Sequence, residues 1–125
     1  MPQTPPVIAI VEDDTSLRRA LARLLHAHGW HTVTFASAEA LLQTGLQPPP
    51  QCLVLDVRLP GMSGIELAEH FVTTGLALPV IIITGHDDVQ IRLRATRARV
   101  VAYLQKPMDE QDLLRAIEQA LGQKP

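Results

Sequence analysis

Four short clusters hold the side chains with chemical potential: Glu12-Asp13-Asp14, Asp56, Thr84 and Lys106. Each lies at or just after the end of an apolar run, so a fold that aligns those runs brings the clusters together. Carboxylates gathered at one spot repel each other unless a hard cation joins them, and a small all-oxygen ligand set with several waters suits Mg²⁺. A carboxylate beside such a cation, with an ammonium and a hydroxyl in reach, can attack phosphorus and form an aspartyl phosphate. The cation and the ammonium would neutralise charge on the transferring oxygens, where phosphoryl transfer needs help. The Thr84 hydroxyl can hydrogen-bond one of those oxygens. Asp56 is the candidate nucleophile, because it alone ends a central run, Leu53-Val54-Leu55-Asp56, ahead of the Pro60-Gly61 turn. No Gly-rich phosphate loop accompanies the set.

The runs that must position these groups are Val7–Val11, His31–Phe35, Cys52–Leu55, Pro79–Ile83 and Val100–Leu104. Their Val and Ile content and their Pro and Gly borders favour strands. Val80-Ile81-Ile82-Ile83 does not alternate with polar residues and is expected to be covered on both faces, as in a parallel sheet. His31-Thr32-Val33-Thr34-Phe35 does alternate, which suits an edge. Between the runs lie helical patterns. Leu17, Leu21, Leu24 and Leu25 follow the 3.6-residue period up to a stop at His28-Gly29. Ser37 is positioned to cap Ala38–Thr44, and Ser63 a helix that ends near Gly75. Asp87 or Asp88 opens a fourth helix and Asp109 a fifth. Five strand–helix units imply an α/β fold, a single doubly wound (βα)5 domain with right-handed crossovers. Ligands in such sheets bind outside the carboxyl ends of the strands, where the four clusters fall.

Composition narrows the alternatives. With 125 residues, 46% apolar and 19% charged, the chain suits one domain over residues 1–125 that needs neither disulfides nor metal for stability. One cysteine, Cys52, cannot supply a disulfide framework, and a reducing, cytoplasmic setting is expected. Cys52 itself, at the start of an interior strand, reads as a buried inert thiol. A net charge of −2 argues against a broad nucleic-acid footprint, and 3% aromatic residues argue against stacking platforms. No apolar run approaches a membrane span, residues 1–5 read as a flexible N-terminus, and Met1–Pro6 lacks the features of a signal peptide.

With these residues in place, Val11-Glu12-Asp13-Asp14, Leu55-Asp56 through Ser63-Gly64, Ile83-Thr84-Gly85-His86 and Tyr103-Leu104-Gln105-Lys106-Pro107 resemble the receiver domain of two-component response regulators. The Thr-Gly-His and Met-Ser-Gly wording is closest to FixJ-type receivers, which usually precede a helix-turn-helix domain. The resemblance covers essentially the whole chain. It implies a parallel five-stranded sheet in the order 2-1-3-4-5, Asp56 as phosphoacceptor, Asp13 as a direct Mg²⁺ ligand and Glu12 as one through water. It also implies the backbone carbonyl of Arg58 as a further ligand, Lys106 on the phosphoryl group, and Thr84 with Tyr103 as the switching pair. The Lys106–Pro107 bond is expected to be cis. Asp14 falls one position beyond the acidic pair and reads as a helix cap.

The implied function is a phosphoacceptor module charged by a sensor histidine kinase or a small phosphodonor. It is not an enzyme beyond catalysing its own phosphorylation and dephosphorylation. Its output face would be built from the fourth helix, fifth strand and fifth helix, and would meet a partner or a second copy of the chain. DNA would be reached only through an output domain, none being visible here. Two rival readings stand beside it. One is a receiver-like interaction module that does not switch. The other is a small phosphatase, which would need a second acid where Arg58 stands.

The fourth helix departs from the family pattern. Arg92, Arg94, Arg97 and Arg99 read first as a solvated face, with a protein contact as the functional alternative. Arg99 stands where a Gly is usual, so a turn with φ > 0 there would carry strain of order 1 kcal/mol. Arg92 replaces a small residue, Ala102 a frequent acid and Met108 a frequent aromatic. Gly61 and Gly64 read as turn residues without chemistry. The histidines read as solvated or capping.

Overall fold

A computed structural model of the chain describes residues 5–122, so most of the expected flexible N-terminus lies outside the described residues. The elements alternate as the periodicity requires: β1 Val7–Val11, α1 Thr15–Ala27, β2 His31–Phe35, α2 Ala38–Gln43, β3 Cys52–Asp56, α3 Gly64–Thr74, β4 Val80–Thr84, α4 Val89–Arg97, β5 Ala102–Gln105 and α5 Glu110–Ala120. All four strand pairings are parallel, and the sheet order is β2-β1-β3-β4-β5.

The strand period of two divides the core into two layers. Ile8, Ile10, Cys52, Val54, Ile81 and Ile83 point to one face, where they pack with Leu21 and Leu25 of α1 and Leu113 and Ile117 of α5. Ala9, Val11, Leu53, Leu55, Val80 and Ile82 point to the other, against Leu41 of α2 and Leu67, Ala68 and Phe71 of α3. Every residue of β3 and β4 is buried, which is why their sequences show no polar alternation. β2 lies at the edge and is largely exposed. Cys52 is fully buried and its thiol is pushed up to about 12 by burial, as an inert core residue.

Side-chain caps start all five helices. Asp14, Ser37, Ser63, Asp88 and Asp109 each accept a hydrogen bond from a backbone N–H of the first turn, and Ser63 with Glu66 forms a reciprocal capping box. Of the two acids offered for α4, Asp88 is the cap, because Asp87 is engaged with Arg92. His28 closes α1 and Gly75 closes α3 in the left-handed region, where glycine carries no Cβ penalty.

Three boundaries differ from expectation. α2 ends at Gln43, one residue early. β4 begins at Val80 rather than Pro79, which has no N–H to donate to a ladder. β5 begins at Ala102 rather than Val100. Arg99 takes φ 60°, and the Val100 N–H turns back to the Ala95 carbonyl, so the chain joins the sheet only afterwards. Lys106–Pro107 is cis, as expected, and Gln47–Pro48 is cis as well.

Candidate functional site

The parallel sheet delivers the four clusters to one edge. Glu12 and Asp13 follow β1, Asp56 ends β3, Thr84 ends β4 and Lys106 follows β5. Val11 is in register with Leu55, Asp56 with Ile83 and Thr84 with Gln105, so the candidate residues leave the sheet side by side. One carboxylate oxygen from each of Glu12, Asp13 and Asp56 lies within 4.8 Å of the others. Glu12 and Asp56 are 1% and 6% exposed, whereas Asp13 stands at the open rim.

Lys106 binds the pocket from the far side. Its Nζ donates to Asp56 Oδ2 at 2.9 Å and to Glu12 Oε1 at 3.1 Å. The remaining oxygens are also placed: Asp56 Oδ1 accepts the Arg58 N–H at 3.1 Å, and Glu12 Oε2 accepts the Asp14 N–H at 3.1 Å. Burial pushes the Glu12 carboxyl above its ordinary range and the neighbouring Asp56 pushes the same way, against the opposing pull of the Asp14 N–H and Lys106. Burial disfavours the Lys106 ammonium, but its hydrogen bonds to Asp56 and Glu12 outweigh that and hold it charged. Three carboxylates therefore meet beside one ammonium that bonds only two of them, Glu12 and Asp56, an excess of negative charge that a hard cation would relieve.

That imbalance makes a prediction. An acid whose folded-state pKa is raised adds stability below its ordinary range near 4.5 and loses it as pH climbs through the raised value. Glu12→Gln is therefore expected to melt at a higher temperature than the parent at neutral pH without divalent ions, with the gain vanishing below pH 4.5. The same variant is expected to bind Mg²⁺ more weakly. Thermal melts across pH, with and without Mg²⁺, check both statements.

Thr84 is fully buried at the next strand end, but its hydroxyl is already engaged. It donates to the His86 carbonyl at 3.2 Å and accepts the His86 N–H at 3.1 Å. Tyr103 stands apart from the carboxylates on β5, with a buried hydroxyl that has no hydrogen-bond partner among the described residues. Burial, and after it the charge of Asp87, push its phenol above the ordinary value.

Three features of the site were not read from the sequence. A Cβ on Gly64 would sit 2.1 Å from the Asp56 carbonyl oxygen, so this glycine lets α3 start against the end of β3. Glu39 on α2 accepts the Met62 N–H at 2.8 Å and ties down the loop that follows Asp56. The arginine stretch is not a uniformly solvated face. Arg94 makes a two-pronged contact with Glu69 of α3 at 2.7 and 3.0 Å, and Arg92 pairs with Asp87 and lies over the Tyr103 ring. Only the glycine left a local sign, a poor helix former directly after the Ser63 cap.

A family model described as the response regulator receiver domain matches residues 8–118. The chain belongs to this family. Nodulation protein W of Bradyrhizobium diazoefficiens is 40% identical over 114 residues, which cover 91% of this chain and 50% of that protein. The transcriptional regulatory protein FixJ of Azorhizobium caulinodans is 36% identical over 122 residues, covering 98% of this chain and 57% of that one. Among solved structures, the response regulator StyR matches with a TM-score of 0.87 at 42% identity, over 94% of this chain and 60% of the other. FixJ-N matches with a TM-score of 0.86 at 33% identity, over 100% and 98%. The receiver is thus of the FixJ type, and it spans about half the length of the curated relatives it matches. Phosphorylation by a kinase is the general function of such domains, which are signalling domains. The acidic pocket suits a metal ion, and among the described residues no helix is long and apolar enough to cross a membrane.

Proposed function

We propose that this receiver accepts a phosphoryl group on Asp56 from a sensor histidine kinase or a small phosphodonor. The reading is carried by one observation: a buried carboxylate at the end of the central strand lies 2.9 Å from an ammonium and beside two further acids. Glu12, Asp13, Asp56 and the backbone carbonyl of Arg58 would hold Mg²⁺. When bound, the ion supplies positive charge against the transferring oxygens.

The chain's own residues do the rest. An Asp56 carboxylate oxygen forms the new bond to phosphorus as the donor's bond breaks, and the leaving group departs with the electron pair. Lys106, already on Asp56, neutralises a second oxygen of the incoming group. Thr84 then has a charged acceptor to turn to, and its hydroxyl leaves the His86 carbonyl. That frees an acceptor of the kind the Tyr103 hydroxyl lacks, and so links the phosphoryl group to the face of α4, β5 and α5. Beyond its own phosphorylation and dephosphorylation the domain catalyses nothing. It would act in the cytoplasm as a single domain over residues 1–125. Its partners are the kinase, a second copy through the α4–β5–α5 face, or a DNA-binding output domain outside this chain.

Mixing the chain with acetyl phosphate and Mg²⁺ is expected to add one phosphoryl group by intact mass, and a chelator is expected to prevent it. An unlabelled protein at saturating Mg²⁺ would refute the reading. A non-switching interaction module is favoured by one feature, the mooring of α4 through Arg94 and Glu69. Amide shifts confined to the pocket on adding Mg²⁺ with beryllofluoride would decide for that module.

A further inference from the structure

We infer that Arg92 and Asp87 form a clasp that holds Tyr103 and the β4–α4 loop in the resting arrangement, and that the phosphoryl group must open it. The inference rests on the phosphoacceptor reading above and adds a residue that sets how readily the domain responds.

Arg92 joins three elements. It sits in the first turn of α4, its guanidinium carbon lies 5.0 Å from the centroid of the Tyr103 ring on β5, and its Nε donates to Asp87 Oδ1 in the β4–α4 loop. A planar guanidinium can make both contacts at once, stacking by its face while its edge donates to a carboxylate. A small side chain at position 92 could do neither, and a lysine would keep the charge without the flat fork.

Tyr103 shows what the clasp holds against. Among the described residues its hydroxyl is buried without a hydrogen-bond partner, which costs free energy, so the ring is retained by contacts other than its own hydrogen bonding. The guanidinium over its face is such a contact. The loop end of the clasp is wired to the phosphoryl site. Asp87 follows His86, whose N–H and carbonyl both engage the Thr84 hydroxyl. A Thr84 that turns to a phosphoryl oxygen gives up His86 and frees the peptide leading to Asp87. α4 is held back from following by the Arg94 contact with Glu69 of α3. Movement of the loop therefore strains the clasp, and a ligand that needs the clasp open binds more tightly once it is gone.

The test is a titration with beryllofluoride in the presence of Mg²⁺, followed by amide shifts of Thr84 and Tyr103. Arg92→Ala and Asp87→Ala are each expected to bind about threefold to tenfold more tightly than the parent, the range a stacked guanidinium and its ion pair can supply. The double variant should gain no more than the larger single effect, since either change opens the same clasp. Arg92→Lys should fall between parent and Arg92→Ala. Arg97→Ala makes the same charge change on the same helix and should leave the affinity where it was. If the parent responds but Arg92→Ala binds equally or more weakly, the clasp is wrong. A gain in Arg97→Ala matching that of Arg92→Ala would also overturn it, by reducing the effect to net charge. A parent that never responds would bring down the phosphoacceptor reading and the clasp together.

Discussion

Asp56→Asn is expected to reduce phosphoryl incorporation by on the order of 10⁴-fold or more, because an amide offers no anionic oxygen to attack phosphorus. The substitution is nearly isosteric, so the loss is chemical and not structural. The amide oxygen can still accept the Arg58 N–H that Oδ1 accepts now, and the side chain still fills its site at the end of β3. Lys106 keeps its bond to Glu12 Oε1. One member of a mutually repelling acidic group disappears, and the push that Asp56 exerts on Glu12 disappears with it. The melting temperature without divalent ions is therefore expected to equal or exceed that of the parent. Intact-mass measurement after exposure to acetyl phosphate and Mg²⁺, with a melt on the same sample, reads both halves. Label on the Asn variant at the parent's rate would move the acceptor elsewhere.

How far the sequence foretold this molecule depends on the range of each interaction. The five helix starts were legible because a cap joins a side chain to an N–H two or three residues on, within one short segment. The parallel sheet was legible in Val80 to Ile83, whose unbroken apolar character requires cover on both faces. The meeting of Glu12, Asp56 and Lys106 follows from that topology, since strands laid parallel must deliver their ends to one edge. The order of the strands, and the roles expected of Arg58 and Tyr103, came only with the family resemblance.

The rest depended on contacts between distant segments. Arg94 finds Glu69 25 residues away, and Met62 finds Glu39 23 residues away, and no local pattern announces either. Arg92 and Asp87 are five residues apart, but their purpose lies in a ring on another strand. The start of β5 was misplaced because its position is set by how Val100 leaves α4 and not by its own apolar character. Gln47–Pro48 gave no sign of its cis bond beside two further prolines.

Gly64→Ala carries the largest expected cost to the fold. An added Cβ would meet backbone: 2.1 Å from the Asp56 carbonyl oxygen, 2.9 Å from its carbonyl carbon and 3.3 Å from the Val57 Cα. At Gly61 the obstacle is the end of the Glu39 side chain, which can swing aside, whereas a peptide at the end of a fully buried strand cannot. Either α3 must back away from β3, uncovering Leu67, Ala68 and Phe71, or β3 must shift against β1 and β4. The Gly64 N–H also donates to the Val57 carbonyl at 3.0 Å, and that bond would be stretched by the same retreat. The destabilisation is expected to be about 3 kcal/mol, the upper part of the range for forcing atoms into a packed interior. Because the displaced peptide belongs to Asp56 itself, labelling by acetyl phosphate should fall even at temperatures where the variant remains folded. Denaturant melts and labelling rates on one preparation separate the two effects. A variant as stable as the parent would mean that α3 does not start against the end of β3.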